Sequence, residues 1–184
     1  MTLHVGRKPW ITLEVIAYLE QNLNPEWLAF EWGCGGSTVW FATVMAGVYS
    51  VENHEGWYEA VKKVVDDEQL RATLHLVPLV DDEPITNGAY GAVIEQYPGK
   101  QFGLMLIDGP VNSRLACAHH ALGHMLPGGL MVLDNSGSAH NLCAAALLDA
   151  ELGHRLVRSV GPVYNDEVPP PGELIVETSV WRMR

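Results

Sequence analysis

The chain has no C-x-x-C pair, and its three cysteines, Cys34, Cys117 and Cys143, stand far apart in sequence. That spacing argues against a disulfide framework and against a thiolate zinc site. Reduced thiols in a cytoplasmic protein are the expectation. Cations are scarce as well: 11 Lys plus Arg stand against 22 Asp plus Glu, a net charge of −11. Binding nucleic acid without sequence preference depends on neutralising phosphates, so this balance disfavours it. It equally disfavours an anionic membrane surface. No apolar run approaches the roughly 20 residues that cross a bilayer. The opening MTLHVGRKPW lacks the apolar core of a signal peptide. No repeat or low-complexity tract is present, and the eight histidines are scattered.

What remains is an ordinary globular composition. Hydrophobic residues make up 48% of 184 positions, enough for one domain with a substantial core. Hydrophobic periodicity alternates between strand and helix along the chain. Residues 9–23, 37–46, 55–69, 112–126 and 139–152 read as helices. Residues 27–32, 48–52, 72–79, 102–107 and 130–133 read as strands, with 102–107 apolar throughout and so covered on both faces. Residues 80–101 read as loop with one short helix. The last quarter differs, with strands at 154–160 and 173–183 and no crossover helix between them, so they pair antiparallel. The sum is a doubly wound, Rossmann-like α/β fold. Its seven-stranded sheet is mostly parallel, ends in an antiparallel C-terminal pair, and carries helices on both faces. Residues 1–184 form one domain, with 1–24 a helical segment packed on it.

Ligands of such sheets bind at the carboxyl ends of the strands. Those ends carry Glu31-Trp32-Gly33-Cys34-Gly35-Gly36-Ser37-Thr38, then Glu52-Asn53, then Asp108-Gly109-Pro110, then Asp134-Asn135-Ser136. The first is a glycine-rich turn feeding a helix, whose free N–H groups suit an anion. The third glycine of a nicotinamide fingerprint is absent, with Thr38 in its place, and no lysine follows as in a P-loop. The missing third glycine and the acid at Glu31 count against a nucleotide-dependent oxidoreductase. A carboxylate at Glu31 would repel a pyrophosphate and suits an amino group or a sulfonium. A plain tight turn is the competing reading. Glu52, about 20 residues on, is placed to accept hydrogen bonds from ribose hydroxyls.

This constellation, Glu31-x-Gly33-x-Gly35-x-Ser37, then Glu52, then Asp108 in LMLIDG, then LPGGLMVLDN, resembles the class I S-adenosylmethionine-dependent methyltransferases. EWGCGGSTVWFA, VYSVENHEGWYEAV and LIDGP also resemble a group of small bacterial methyltransferases of unassigned substrate. The resemblance implies S-adenosylmethionine as cofactor and a small hydroxylated molecule as methyl acceptor. Glu31, Gly33, Cys34 and Gly35 would hold the methionine part, with Ser37 and Thr38 at its carboxylate. Glu52 would take the ribose and Asn53 would lie beside the adenine, with Asp81 or Asp82 a looser match for the adenine edge. Asp108 would contact the cofactor's amino group. A protein that keeps the pocket only to bind a partner is the non-catalytic alternative.

Asp108, Asp134 and Asn135 further resemble the metal ligands of catechol and caffeoyl-coenzyme A O-methyltransferases. Two carboxylates and an amide oxygen suit Mg²⁺, which would acidify an acceptor hydroxyl. The competing reading gives Asp108 to the cofactor and Asp134-Asn135 to a turn. The lysine base of those enzymes is missing, since Pro110, Val111, Asn112, Ser113 and Arg114 follow Asp108. Asp108 and His140 are the remaining candidates for catalysis, although His140 also reads as an exposed or capping residue. His120 and His124, four apart, read as an exposed helix face. Cys34 reads as a small buried side chain. Trp10, Trp57, Tyr90 and Tyr97 are candidates for a pocket wall, and residues 80–101 and 163–173 for lids.

Overall fold

Strands that are apolar on both faces need cover on both, and the chain supplies it. The computed structural model describes residues 3–78, 88–163 and 175–184. In chain order these form α1 (Leu13–Asn22), β1 (Leu28–Trp32), α2 (Gly36–Val44), β2 (Gly47–Glu52), α3 (Glu55–Asp67) and β3 (Ala72–Leu76). There follow α4 (Gly88–Gly91), β4 (Phe102–Ile107), α5 (Arg114–Ala121), β5 (Met125–Leu133), α6 (Leu142–Leu152), β6 (Val157–Pro162) and β7 (Ile175–Arg182). Short 3-10 turns precede β4, β5 and α6. The sheet has seven strands in the order β3-β2-β1-β4-β5-β7-β6. Pairing is parallel from β3 to β5 and antiparallel where β7 meets β5 and β6. This is the doubly wound, mostly parallel seven-stranded sheet with an antiparallel C-terminal pair that the sequence reading expected.

Alternation along each strand divides the core into two layers. Phe30, Trp32, Met105, Ile107, Met131 and Leu133 face α4, α5 and α6, together with Tyr90, Cys117, Leu148 and Trp181. Ala29, Leu104, Leu106, Leu130 and Val132 face the other way, onto Val15 and Leu19 of α1 and Phe41 of α2. Helix α3 closes the edge with Val61 and Val65.

Three boundaries depart from the sequence reading, each for a visible reason. Helix α1 starts at Leu13, not at residue 9, because Thr12 is extended (φ −60°, ψ 142°) and bridges to Val163. Helix α5 stops at Ala121, and Met125 is already paired with Phe102 in the sheet. Pro127-Gly128-Gly129 therefore lies within β5 rather than before it: Phe102 pairs with Met125 but Leu104 with Leu130, and Gly128 takes φ +79°. That early stop also corrects the histidine pair. His124 falls in a 3-10 turn and is buried, with Nε2 3.2 Å from Glu95 Oε2. His120 Nδ1 lies 3.0 Å from Glu95 Oε1, so both histidines tie residues 92–96 to α5, His124 buried and His120 still part-exposed.

Phe30 is fully buried in β1, with ring centroids 4.6 Å from Trp32 and 5.2 Å from Phe102. Phe30→Ala should cost about 3–5 kcal/mol through lost burial and the cavity left behind. Urea unfolding with an unchanged slope would register it.

Candidate active site

Strand order reverses between β2 and β4 on either side of β1, which opens a crevice at the carboxyl ends of β1 and β4. The two ends touch there. Asp108 N–H donates to Trp32 O at 2.9 Å, and Gly33 N–H donates to Val51 O at 2.7 Å. A Cβ on Gly33 would stand 2.8 Å from Asp108 O, and its φ of +99° excludes most side chains in any case. Gly35 differs: a Cβ there would meet no protein atom within 4 Å. The turn thus closes tightly on one side and leaves open space on the other.

That space is a cavity of about 430 Å³, of a size suited to a cofactor. Gly33, Cys34, Gly35, Gly36 and Ser37 form one wall, Glu52, Asn53, His54 and Trp57 a second, and Asp108, Gly109 and Pro110 a third. Gly6, Pro9 and Trp10 complete it. Trp10 was a candidate from the sequence, but Gly6 and Pro9 were not legible there, where residues 9–23 read as one helix. Residues 6–8 cross directly over the start of α2, so close that a Cβ on Gly36 would fall 2.3 Å from Lys8 O. Arg7 anchors that crossing with two hydrogen bonds to Glu68, at 2.7 and 2.6 Å. The Trp10 and Trp57 rings meet edge to face at 6.0 Å. Of the four aromatic candidates these two line the cavity. Tyr90 is instead a core residue whose hydroxyl donates to Val51 O at 3.0 Å, and Tyr97 packs against Tyr49 at 4.6 Å between centroids.

Glu52 joins two walls. Its Oε2 accepts from Cys34 N–H at 3.0 Å, and its Oε1 accepts from Asn53 and His54 N–H at 2.9 and 2.8 Å. The carboxylate is therefore oriented by backbone while it borders the cavity. Cys34, beside it, has its thiol pushed far up by burial and then by the charges of Glu52 and Glu31, so it is no nucleophile.

Glu31 does not reach the cavity. Strand alternation turns it onto the α2 face, fully buried behind the turn. There its Oε1 accepts from the hydroxyls of Thr38 and Ser50. Thr38 Oγ1 also accepts from Gly35 N–H at 3.0 Å, so both residues brace the turn from below. A direct contact of either with a ligand in the cavity, expected from sequence, does not match this placement. Burial raises Glu31 from 4.5 to about 7, against the hydrogen bonds that lower it, and its Oε2 has no protein partner.

Arg114 ties together the ends of β4 and β5, through the carboxyl of Asp108 but only the backbone carbonyl of Asp134. Its Nε donates to Gly109 O at 2.8 Å, its Nη1 to Asp134 O, and its Nη2 lies 3.2 Å from Asp108 Oδ1. Asp134 Oδ1 accepts from Thr178 Oγ1 at 2.7 Å, and Oδ2 accepts from the Asn135 amide nitrogen. Burial and the neighbouring Asp134 hold the Asp108 carboxyl well above its usual range, with Arg114 opposing. The residues present do not fit Mg²⁺. A guanidinium already stands among them, and Asn135 turns its donor, not its oxygen, toward Asp134. Among the described residues no cluster of His, Cys, Asp or Glu is arranged to hold a metal. Sequence reading passed over Arg114 as merely not a lysine; a cation six residues after a strand-end acid was the available signal. His140 is exposed in the 3-10 turn before α6 and is not on the cavity wall. Asp81, Asp82, the first part of the 80–101 lid and all but Val163 of the 163–173 lid lie outside the described residues.

Comparison with known proteins fits this geometry. A family model described as a methyltransferase domain matches residues 30–136. No curated protein matches the sequence. Among solved structures the chain is similar to a Streptococcus mutans protein assigned as a methyltransferase and solved with S-adenosylhomocysteine. The two are 13% identical with a TM-score of 0.64, covering 93% of this chain and 97% of that one. It is also similar to a Streptomyces achromogenes O-methyltransferase of tomaymycin synthesis, solved with S-adenosylmethionine. Here identity is 13% and TM-score 0.66, over 92% of this chain and 78% of the other. An rRNA methylase from Streptococcus thermophilus aligns at 11% identity and TM-score 0.61, covering 93% and 95%. The chain belongs to the methyltransferase-domain family and is, by family and fold, an S-adenosylmethionine-dependent methyltransferase. Among the described residues no helix is long and apolar enough to cross a membrane.

Two outcomes follow from the turn. Gly33→Ala should cost about 1–3 kcal/mol from the positive φ alone, and it should also weaken cofactor binding in calorimetry. Glu31 is raised in the folded state, so its contribution is complete below pH 4.5 and is lost as pH rises through about 7. Relative to Glu31→Gln, the native protein should lose on the order of 3 kcal/mol between pH 4.5 and pH 8. Parallel melting curves of the two proteins across that range would contradict this.

Proposed function

We propose that this chain transfers a methyl group from S-adenosylmethionine to a hydroxyl oxygen of a small molecule with a substantial apolar body. The observation that carries the cofactor part is the cavity at the switch in strand order, with Glu52 held by three backbone N–H groups along one wall. Gly33, Cys34, Gly35 and the N–H groups at Ser37 would hold the methionine end, with its carboxylate at the start of α2. Glu52 would take the ribose hydroxyls, and Asn53 would flank the adenine. Asp108, at the far wall, would meet the methionine amino group. The cofactor supplies an electrophilic methyl on a sulfonium, and the carboxylate of Glu52 on the cavity wall suits a cation.

Transfer from a sulfonium is an in-line displacement, so the protein's work is alignment and exclusion of water. The acceptor end is supported by what borders it. Trp10, 45% exposed, and Trp57 are large apolar side chains on the cavity wall. A net charge of −11 disfavours a polyanionic acceptor such as RNA. Asp108 is the one strand-end acid that is both on the cavity wall and part-exposed. His140, off that wall, is given no step.

Calorimetry with S-adenosylmethionine tests the cofactor assignment. Binding should weaken at least tenfold in Glu52→Ala, about 1.4 kcal/mol, and should be the same with and without Mg²⁺. S-adenosylhomocysteine should raise the melting temperature while NAD does not, since a ligand at 100 times its dissociation constant adds about 2.7 kcal/mol. Absence of binding by the native protein under all conditions would sink the assignment.

A further inference from the structure

We infer that the guanidinium of Arg114 is this chain's built-in cation, bridging the Asp108 carboxyl and the backbone carbonyl of Asp134 and closing that cluster to divalent metals. The inference concerns this cluster alone and stands whatever the acceptor is. The Arg114 side chain is 6% exposed, against 30% for Asp108, so the charge is buried and its carboxyl partner borders the cavity. Its donors fan out to oxygens from the ends of two adjacent strands: the carbonyl of Gly109 and the carboxyl of Asp108 after β4, and the carbonyl of Asp134 after β5. A planar fork with five donors can serve three acceptors at fixed angles, as no lysine can.

The remaining ligand positions are spent in the same way. A hard divalent cation needs several oxygen lone pairs converging on one point. Asp134 has one oxygen on the Thr178 hydroxyl and the other on the Asn135 amide nitrogen. Asn135 is held in this pose by its own backbone, at φ +52°, and by Asn141, whose amide donates to Asn135 O at 3.0 Å. A second cation here would have to displace two hydrogen-bond donors and stand against a permanent positive charge that cannot be relieved by deprotonation. Arg114 is thus a positioning residue. It ties the Asp108 and Asp134 loops into one unit without touching the cofactor cavity itself, whose lining does not include it.

Manganese titration followed by electron paramagnetic resonance gives a direct test, with no substrate needed. The native protein should show no saturable Mn²⁺ binding. Arg114→Met, which keeps the aliphatic stem and removes the charge, should acquire a single saturable site. That site should vanish again when Asp134→Asn is added. Arg114→Lys, which keeps the charge, should behave as the native protein does. Cofactor affinity of the native protein should change less than twofold on adding EDTA. Saturable Mn²⁺ binding by the native protein that Asp134→Asn abolishes would overturn the inference, as would a folded Arg114→Met that takes up no Mn²⁺. Should Arg114→Met fail to fold, the native titration and its Asp134→Asn control decide alone. Loss of S-adenosylmethionine binding, by contrast, would count against the cofactor assignment and leave this inference standing.

Discussion

The site depends on how closely the ends of β1 and β4 approach each other. Gly33 lies against the Asp108 carbonyl with no room for a Cβ, and Asp108 N–H is hydrogen-bonded to Trp32 O. That contact aims the glycine turn outward and places Asp108 on the cavity wall. Glu52 then fixes the turn from the β2 side by accepting the Cys34 N–H. From below, Thr38 and Ser50 hold Glu31 against the underside. Three acids thus serve the same few residues of backbone, and only two of them border the cavity.

Much of the fold was readable because strand and helix periods differ and the chain keeps them distinct. Buried β4 reads as six consecutive apolar residues, and the missing crossover helix after α6 announces the antiparallel pair. The boundaries that failed were decided by long-range pairing. Thr12 is extended because Val163 lies beside it, and Met125 is a strand residue because Phe102 is. Neither partner is close in sequence.

At the site, spacing located Gly33, Gly35, Ser37, Glu52 and Asp108 on the cavity, but it could not tell which side of the turn Glu31 faces. The two-residue period of β1 settles that. Nor could spacing show that Arg114 folds back over six residues onto Asp108, or that Gly6 and Pro9 join Trp10 in a wall. With a guanidinium in place of a metal, an acceptor hydroxyl would receive no acidification from a bound ion, and oxygens that are acidic by themselves become the better acceptors.

Strand β7 sits between β5 and β6 although it follows both in sequence. It carries Thr178, which holds Asp134, and Trp181, which fills the lower core. As the chain leaves the ribosome, β5 must therefore wait with an open edge, and β6 with no strand to pair with, until β7 emerges. The parallel half is free to form early, while the floor beneath Asp134 waits for β7. Over that interval the Met131 and Leu133 edge is the stretch most in need of shielding from other nascent chains.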